Sequence, residues 1–163
     1  MARLAETEIL QDQEDTQKGK FLTFPLGKET YGIEIRYITE IIGIQPITEI
    51  PELPVYIRGL INLRGKIIPV MDARLRFKKP LLEYNDRTCV IVIEMKDISI
   101  GLIVDSVSEV MTIDDQNIIP PPNIQKINNR YINGIGKTGK SIKLLLDCDK
   151  LLNEEEMEKL TNI

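Results

Sequence analysis

The amino-acid sequence predicts a mainly β protein built as two packed, five-stranded β-barrel subdomains with a C-terminal α-helix. Two observations carry this. The chain states one pattern twice, and its apolar stretches are short, rich in β-branched residues and bounded by turn formers. Tyr56-Ile57-Arg58-Gly59 leads to Asp72, and Tyr131-Ile132-Asn133-Gly134 leads to Asp147. Each matched pair lies 75 positions apart (131 − 56, 134 − 59, 147 − 72). Upstream, Tyr31-Gly32-Ile33-Glu34-Ile35 resembles Ile100-Gly101-Leu102-Ile103-Val104, and Ile38-Thr39-Glu40-Ile41 matches Val107-Ser108-Glu109-Val110. Both lie at an offset of 69 (101 − 32, 107 − 38). Six extra residues (75 − 69) therefore fall in the second copy between Glu109 and Tyr131. That stretch holds Asp114-Asp115 and Pro120-Pro121-Pro122 and reads as loop. Residues about 20–80 and 86–152 form two versions of one unit, each too small to be an ordinary independent domain.

Taken in order, residues 1–19 are acidic and Gln-rich and read as a mobile tail, followed by one folded body over 20–163. Phe21–Leu26 and Tyr31–Ile35 flank the hairpin-sized connection Gly27-Lys28-Glu29-Thr30. Arg36–Ile44 has an apolar spacing that fits a helix, but its Ile content and its Val/Thr-rich mate Ser106–Ile113 favour a short turn and then a strand. Ile57–Leu63 and Lys66–Met71 flank Arg64-Gly65, and Pro69 places its strand at an edge or a bulge. Thr88–Met95 and Ile98–Val104 flank Lys96-Asp97. Tyr131–Ile135 and Ser141–Leu146 repeat the earlier pair around Gly139. Short sheets with Gly-marked bends suggest small barrels. One helix is expected over about 148–160, capped by Asp147 or Asp149, with Leu151, Leu152, Met157 and Leu160 on its apolar stripe.

Composition narrows the function classes. The chain has 163 residues, 42% of them hydrophobic, and a net charge of −4, which suits a globular body. Aromatics make up 5% with no Trp, which disfavours base-stacking platforms, and an acidic total opposes phosphate binding, so no nucleic-acid partner is expected. Neither a spanning apolar run nor a signal peptide is visible, and a cytoplasmic location without membrane insertion is expected. Cys89 and Cys148 then read as free, buried thiols. Charge is uneven. Arg58, Arg64, Lys66, Arg74, Arg76, Lys78 and Lys79 face one acid, Asp72. Over 81–116, eight acids face Arg87 and Lys96. The runs form either solvated surface or complementary ends that steer protein partners.

Catalytic signals are thin. Gly134-Ile135-Gly136-Lys137-Thr138-Gly139-Lys140-Ser141 satisfies the phosphate-cradling pattern G-x-x-x-x-G-K-[ST], which requires a helix directly after it. The mate of the following segment is Lys66-Ile67-Ile68-Pro69-Val70-Met71, whose interior Pro opposes a helix. The match therefore reads as a diverged copy of the first hairpin. Absence of His removes Ser-His-Asp and Cys-His chemistry. Asp72 and Asp147 each end a strand and suit capping. Asp114-Asp115 lacks further ligand spacing. Neither a catalytic residue nor a cofactor or metal is expected.

The stretch from Ile57 to Asp72, with Asn62-Leu63-Arg64-Gly65 at its centre, resembles the most diagnostic segment of the CheW family. Supporting matches are Tyr31-Gly32-Ile33, Val90–Ile93, Gly101–Asp105 and Tyr131–Asp147, so the resemblance covers about Lys20 to the C-terminus. It implies a free-standing, non-catalytic chemotaxis adaptor of two SH3-like barrels. Such an adaptor bridges the cytoplasmic tips of methyl-accepting chemoreceptors to the regulatory domain of the histidine kinase CheA, in membrane-associated arrays. Further copies of the adaptor are possible partners. Residue by residue, the resemblance assigns receptor binding to Ile38, Glu40, Arg64, Cys89, Val107 and Val110; core packing is the alternative for the valines and Cys89. Gly59, Gly65, Gly101 and Gly134 are expected to serve backbone conformation.

The mechanism expected is helix-in-groove docking. A groove between the barrels, lined by Ile38, Val107 and Val110 and flanked by Arg64, would accept a helical receptor tip. The kinase would bind barrel ends, with the surface around Ile42, Ile44 and Ile47 as part of the contact.

Overall fold

The computed structural model describes residues 18–95, 97–122 and 130–161, so 1–17 of the expected tail lie outside the described residues. Its strands are Lys20–Leu26 (β1), Glu29–Glu34 (β2), Ile38–Gly43 (β3), Ile57–Leu63 (β4), Lys66–Asp72 (β5), Cys89–Met95 (β6), Ile98–Val104 (β7), Val110–Thr112 (β8), Ile118–Ile119 (β9), Ile132–Thr138 (β10) and Ser141–Leu146 (β11). Among the described residues two α-helices, Ala73–Arg76 (α1) and Glu154–Thr161 (α2), and three 3₁₀ turns, Ile35–Tyr37, Asp115–Asn117 and Cys148–Lys150, complete the regular structure.

The fold is mainly β, as the sequence predicts, but the sheets do not follow the repeat boundaries. One has six strands in the order β8-β1-β2-β11-β10-β9, and the other has five in the order β3-β6-β7-β5-β4. Each sheet takes the leading hairpin of one copy and the remaining strands of the other. The exchange is symmetric. β2 runs parallel to β11 with Gly32 opposite Leu145, and β7 runs parallel to β5 with Gly101 opposite Val70. These two pairs are related by the offsets of 69 and 75. The same bulge recurs between Ile57 and Gly59 and between Ile132 and Gly134. After each bulged hairpin the Asp amide donates to the Tyr carbonyl, Asp72 to Tyr56 and Asp147 to Tyr131, both at 2.8 Å.

Each sheet curls. Thr48, beyond β3, exchanges two hydrogen bonds with Leu60 of β4 (2.8 and 2.9 Å), which joins the two edges of the five-stranded sheet. In the six-stranded sheet β8 and β9 hold the two edges and are joined by Ile113, Asp114 and the turn at Asp115–Asn117. The stretch read as loop thus contains a short strand, because β9 pairs with Ile135 and Gly136 of β10. β5 lies between β4 and β7 and is not an edge strand; Pro69 pairs with Leu60 of β4, next to the bulge at Ile57–Gly59 and one residue before the parallel pairing to β7 begins at Val70.

Three apolar clusters fill the body. The largest lies between the sheets and includes Leu22, Phe24, Ile33, Ile91, Ile93 and Leu102. Ile61, Ile68, Val70, Val90, Val92 and Ile103 fill the five-stranded sheet. Phe21, Ile113 and Leu145 fill the six-stranded one. Alternation along β6 explains the division, since Val90 and Val92 point into the curl while Ile91 and Ile93 point at the other sheet.

The expected helix over 148–160 is two pieces. Cys148–Lys150 is a 3₁₀ turn capped by Asp147, and α2 starts at Glu154. Asn153 and Glu156 restart it reciprocally: the Glu156 amide donates to Asn153 Oδ1 at 2.7 Å, and the Asn153 amide to Glu156 Oε1 at 2.9 Å. Leu151 and Leu152 are buried as expected, but in the link between the pieces.

The charge runs also resolve. Arg76 is buried at 7% exposure, its guanidinium 4.0 Å from the Tyr56 ring centroid and 4.8 Å from that of Tyr131. It donates to the carbonyl of Leu151, its own repeat mate (151 − 75), and to Glu156. Burial pushes its pKa down. Arg74 forks onto Asp105 with contacts of 2.6 to 3.0 Å, a hydrogen-bonded pairing that pushes its pKa up. Part of the basic run therefore pairs with acidic groups of the same molecule.

Candidate functional site

The site residues fall around the edge strand β3 and its repeat mate β8. Two residues of β3, Ile38 and Thr39, oppose the single step from Ile93 to Val92 on β6. This bulge changes the facing of the strand. Ile38 packs against the inter-sheet core, whereas Ile42, two residues beyond Glu40, packs into the curl of the five-stranded sheet. Thr39 Oγ1 stabilises the bulge by donating to the Val92 carbonyl at 3.1 Å.

Arg64 reaches Glu40 from the opposite edge. It sits in the two-residue turn between β4 and β5, where Arg64 has φ +52° and Gly65 φ +88°. Two successive left-handed residues match the twist of a tight hairpin and explain a Gly at 65. Asn62 Oδ1 accepts the Gly65 amide at 2.8 Å, so Asn62, Arg64 and Gly65 make one local unit. The turn projects Arg64 onto β3, where its Nη2 pairs with Glu40 Oε2. The side chains are 71% and 30% exposed, so the pair contributes roughly 0–1 kcal/mol to stability and remains accessible to a partner.

Val107 packs against the inter-sheet core from the other copy, as Ile38 does. The segment after it is pinned to β1: Ser108 donates to the Thr23 carbonyl, and the Thr23 amide and hydroxyl donate to the Glu109 carbonyl, each at 2.8 Å. Val110 then stands opposite Leu22 and is 53% exposed. Cys89 lies farther along β6, opposite Gly43, with its half-buried thiol on the inter-sheet face. Ile38, Cys89 and Val107 thus border one core. Val110 adds an exposed apolar edge, and Arg64–Glu40 pair on the other face of β3.

Ile42, Ile44 and Ile47 are half-buried and pack against the cluster inside the five-stranded sheet. Ile41, which the sequence did not assign to the site, is 42% exposed on the β3 edge. It is the mate of Val110 (110 − 41 = 69), so the repeat carried the signal that would have found it.

The glycines divide. A Cβ on Gly59 would lie 2.1 Å from the Thr48 carbonyl oxygen, at φ +143°, so both space and conformation demand Gly. Gly65 needs it for conformation alone. Gly101 and Gly134 have ordinary backbone, contrary to expectation. A Cβ there would meet Val90 at 2.6 Å and Ile118 at 2.9 Å, so packing is the reason.

The phosphate-loop match is a β-hairpin, with β10 running through Gly139-Lys140 directly into strand β11 where the motif requires a helix. Ser141 Oγ donates to the Thr138 carbonyl at 3.0 Å. Among the described residues no group of His, Cys, Asp and Glu is placed to hold a metal ion, and no helix is long and apolar enough to cross a membrane.

Comparison with known proteins agrees with this geometry. A family model described as a CheW-like domain matches residues 20–156. The chain is 37% identical to a chemotaxis protein CheW of Klebsiella aerogenes, covering 100% of this chain and 98% of that protein. It is 34% identical to the chemotaxis protein CheW of Treponema pallidum, over 88% of each. The crystal structure of the scaffolding protein TtCheW from Thermoanaerobacter tengcongensis superposes with a TM-score of 0.79 at 37% identity, covering 85% of this chain and 94% of that one. A family match over most of the length, relatives at this identity and a shared scaffold lead to one conclusion: the chain belongs to the CheW family of chemotaxis proteins, whose members are adaptors and not enzymes.

Proposed function

We propose that this protein couples the cytoplasmic tips of chemoreceptors to the histidine kinase CheA as a non-catalytic adaptor, in the cytoplasm and recruited to receptor arrays. The observation that carries the reading is the accessible Arg64–Glu40 pair on β3, the strand whose other face presents Ile38 beside the inter-sheet core. An apolar stripe of a receptor helix would lie on Ile38, Val107 and Val110, with Cys89 farther along the same face, while Arg64 and Glu40 supply a polar rim. The kinase would use the segment 42–50 at the end of β3, where Ile42, Ile44 and Ile47 retain partial exposure. Because the kinase regulatory domain is expected to share this fold, copies of the adaptor could pair in the same manner. Signal transfer would be a change of partner geometry.

A pull-down with a receptor tip fragment and with CheA, separately and together, tests this. Arg64→Ala and Glu40→Ala should weaken receptor capture while shifting stability by less than about 0.5 kcal/mol. Val110→Asp, at a position 53% exposed, should abolish capture and leave the thermal melt near normal. Unchanged capture by all three variants would remove the groove assignment.

A further inference from the structure

The internal two-fold gives each half of the molecule a mate for nearly every feature, and α2 is an exception. In the second copy α2 follows Leu152, the mate of Phe77 (152 − 75). There Leu160 is buried in the inter-sheet core, Met157 packs against that core, and Glu156 pairs with Arg76 above Tyr56. Leu152 and Ile57 are correspondingly buried, at 2% and 7%. At the mate position the chain carries no helix, because Lys78 takes φ +60° and Pro80 follows. Phe77 and Ile132, mates of Leu152 and Ile57, remain half-buried.

What α2 covers in one half is an open recess in the other. Its volume is about 230 Å³, and it is walled by Tyr31, Phe77, Tyr131, Ile132 and Leu144. Tyr31 stacks on Phe77 with centroids 5.0 Å apart, and Phe77 meets Tyr131 at a tilt of 50° and 5.6 Å. Lys79 and Glu29, paired at 2.6 Å, stand at the rim. The recess runs onto a sheet face. Leu144 pairs with Ile135, and the next pair on that face is Ile142 with Lys137. Ile142 is 57% exposed, and Lys137 is exposed without an ion partner among the described residues.

We propose that this recess and the adjoining β10–β11 face dock an acidic amphipathic helix of a partner protein, in the manner in which α2 covers the mate position. The occupant's chemistry is read from α2 itself: Met157 and Leu160 three residues apart, and four glutamates against one lysine. The chain's own α2 is held elsewhere by its cap, its pair with Arg76 and the burial of Leu160, so the helix must come from another chain. Lys137 at the open end of the face suits an acidic partner. The site is independent of receptor and kinase coupling through β3.

The experiment is a titration of the ¹⁵N-labelled full chain with a synthetic peptide carrying the sequence of residues 152–161 as the probe helix. Saturable amide shifts are expected at Tyr31, Ile142 and Leu144. Ile142→Asp and Lys137→Glu, both surface changes, should each weaken binding about fivefold or more, while Ile67→Asp, at the mate of Ile142, leaves it unchanged. The proposal is overturned by no saturable shift at about 1 mM peptide. It is equally overturned by shifts confined to Tyr56 and Arg76, which mark exchange with the chain's own α2, or by self-association that Ile142→Asp abolishes, which makes a second copy the occupant.

Discussion

Two glycines of the first copy separate steric from conformational demand. Gly59 faces the Thr48 carbonyl oxygen, whereas a Cβ on Gly65 meets nothing within 4 Å. Gly59→Ala should therefore cost about 3 kcal/mol or more by combining overpacking with strain, and Gly65→Ala about 1–2 kcal/mol from strain alone. Urea titrations of the two variants measure the gap; equal losses would show that the β4–Thr48 contact is not the tight one. Ionisation gives a second test at this scale. Burial lifts the Cys148 thiol from 9.0 to about 12, with neighbouring Asp147 and Asp149 adding to the shift. The unfolded chain releases this proton near pH 9 and the folded chain holds it. Stability is thus full below pH 9 and falls as pH rises toward 12, by up to about 1.4 kcal/mol per pH unit. Burial raises Tyr31 from 10.0 to about 12, which deepens the same alkaline loss. Urea midpoints at pH 8, 9.5 and 10.5 should show the decline, with a shallower slope in Cys148→Ala. Cys89 and Cys148 both read as free, buried thiols; both are free, but only Cys148 is buried, while Cys89 at the start of β6 is half-buried.

Among elements, the two copies end their last hairpins with the same aspartate and use it differently. Asp147 caps a 3₁₀ turn by accepting the Asp149 amide at 3.1 Å. Asp72, 2% exposed, caps α1 through Leu75 and also accepts the Tyr84 hydroxyl at 2.6 Å. Burial, then this hydrogen bond, pushes the Tyr84 pKa upward, so the phenol remains a donor at neutral pH. Asp147→Ala should cost about 1 kcal/mol, the usual loss of a cap, and Asp72→Ala about 2–3 kcal/mol, since the half-buried Tyr84 hydroxyl also loses its acceptor. Thermal melts of the pair check the order. Capping was legible in the sequence because a strand-ending Asp needs only neighbours a few residues away. The helix start was not: Asp147 and Asn153 are both competent caps, and local sequence does not say that Leu151 and Leu152 turn into the core between them.

For the whole molecule, the exchange of hairpins makes stability indivisible. β2 of the first copy depends on β11 of the second, and β7 of the second on β5 of the first. Arg76 adds a buried tie between the copies at their pseudo-axis. The full chain should unfold in one transition, and a fragment of residues 18–85 should lack dispersed amide signals, because its leading hairpin has no partner strands. A folded fragment would mean that the hairpin can close on its own copy.

The sequence by itself determined the duplication, the strand periodicity, the Gly-marked bends and the family motif Asn62-Leu63-Arg64-Gly65. It also disposed of the phosphate loop, since Pro69 in the first copy forbids a helix at that place. These features are local, or repeat at fixed offsets. Tertiary structure alone decided which copy each hairpin joins. The two copies have diverged in sequence but repeat one strand pattern, and the backbone hydrogen bonds of a strand edge do not distinguish one hairpin from the other, so the choice depends on how the sheets pack. The same limit applied to Arg76, which reads as one more surface cation until the two tyrosines close on it. It applied also to Glu40, whose partner 24 residues away is set by the curl that brings the edges of the five-stranded sheet together.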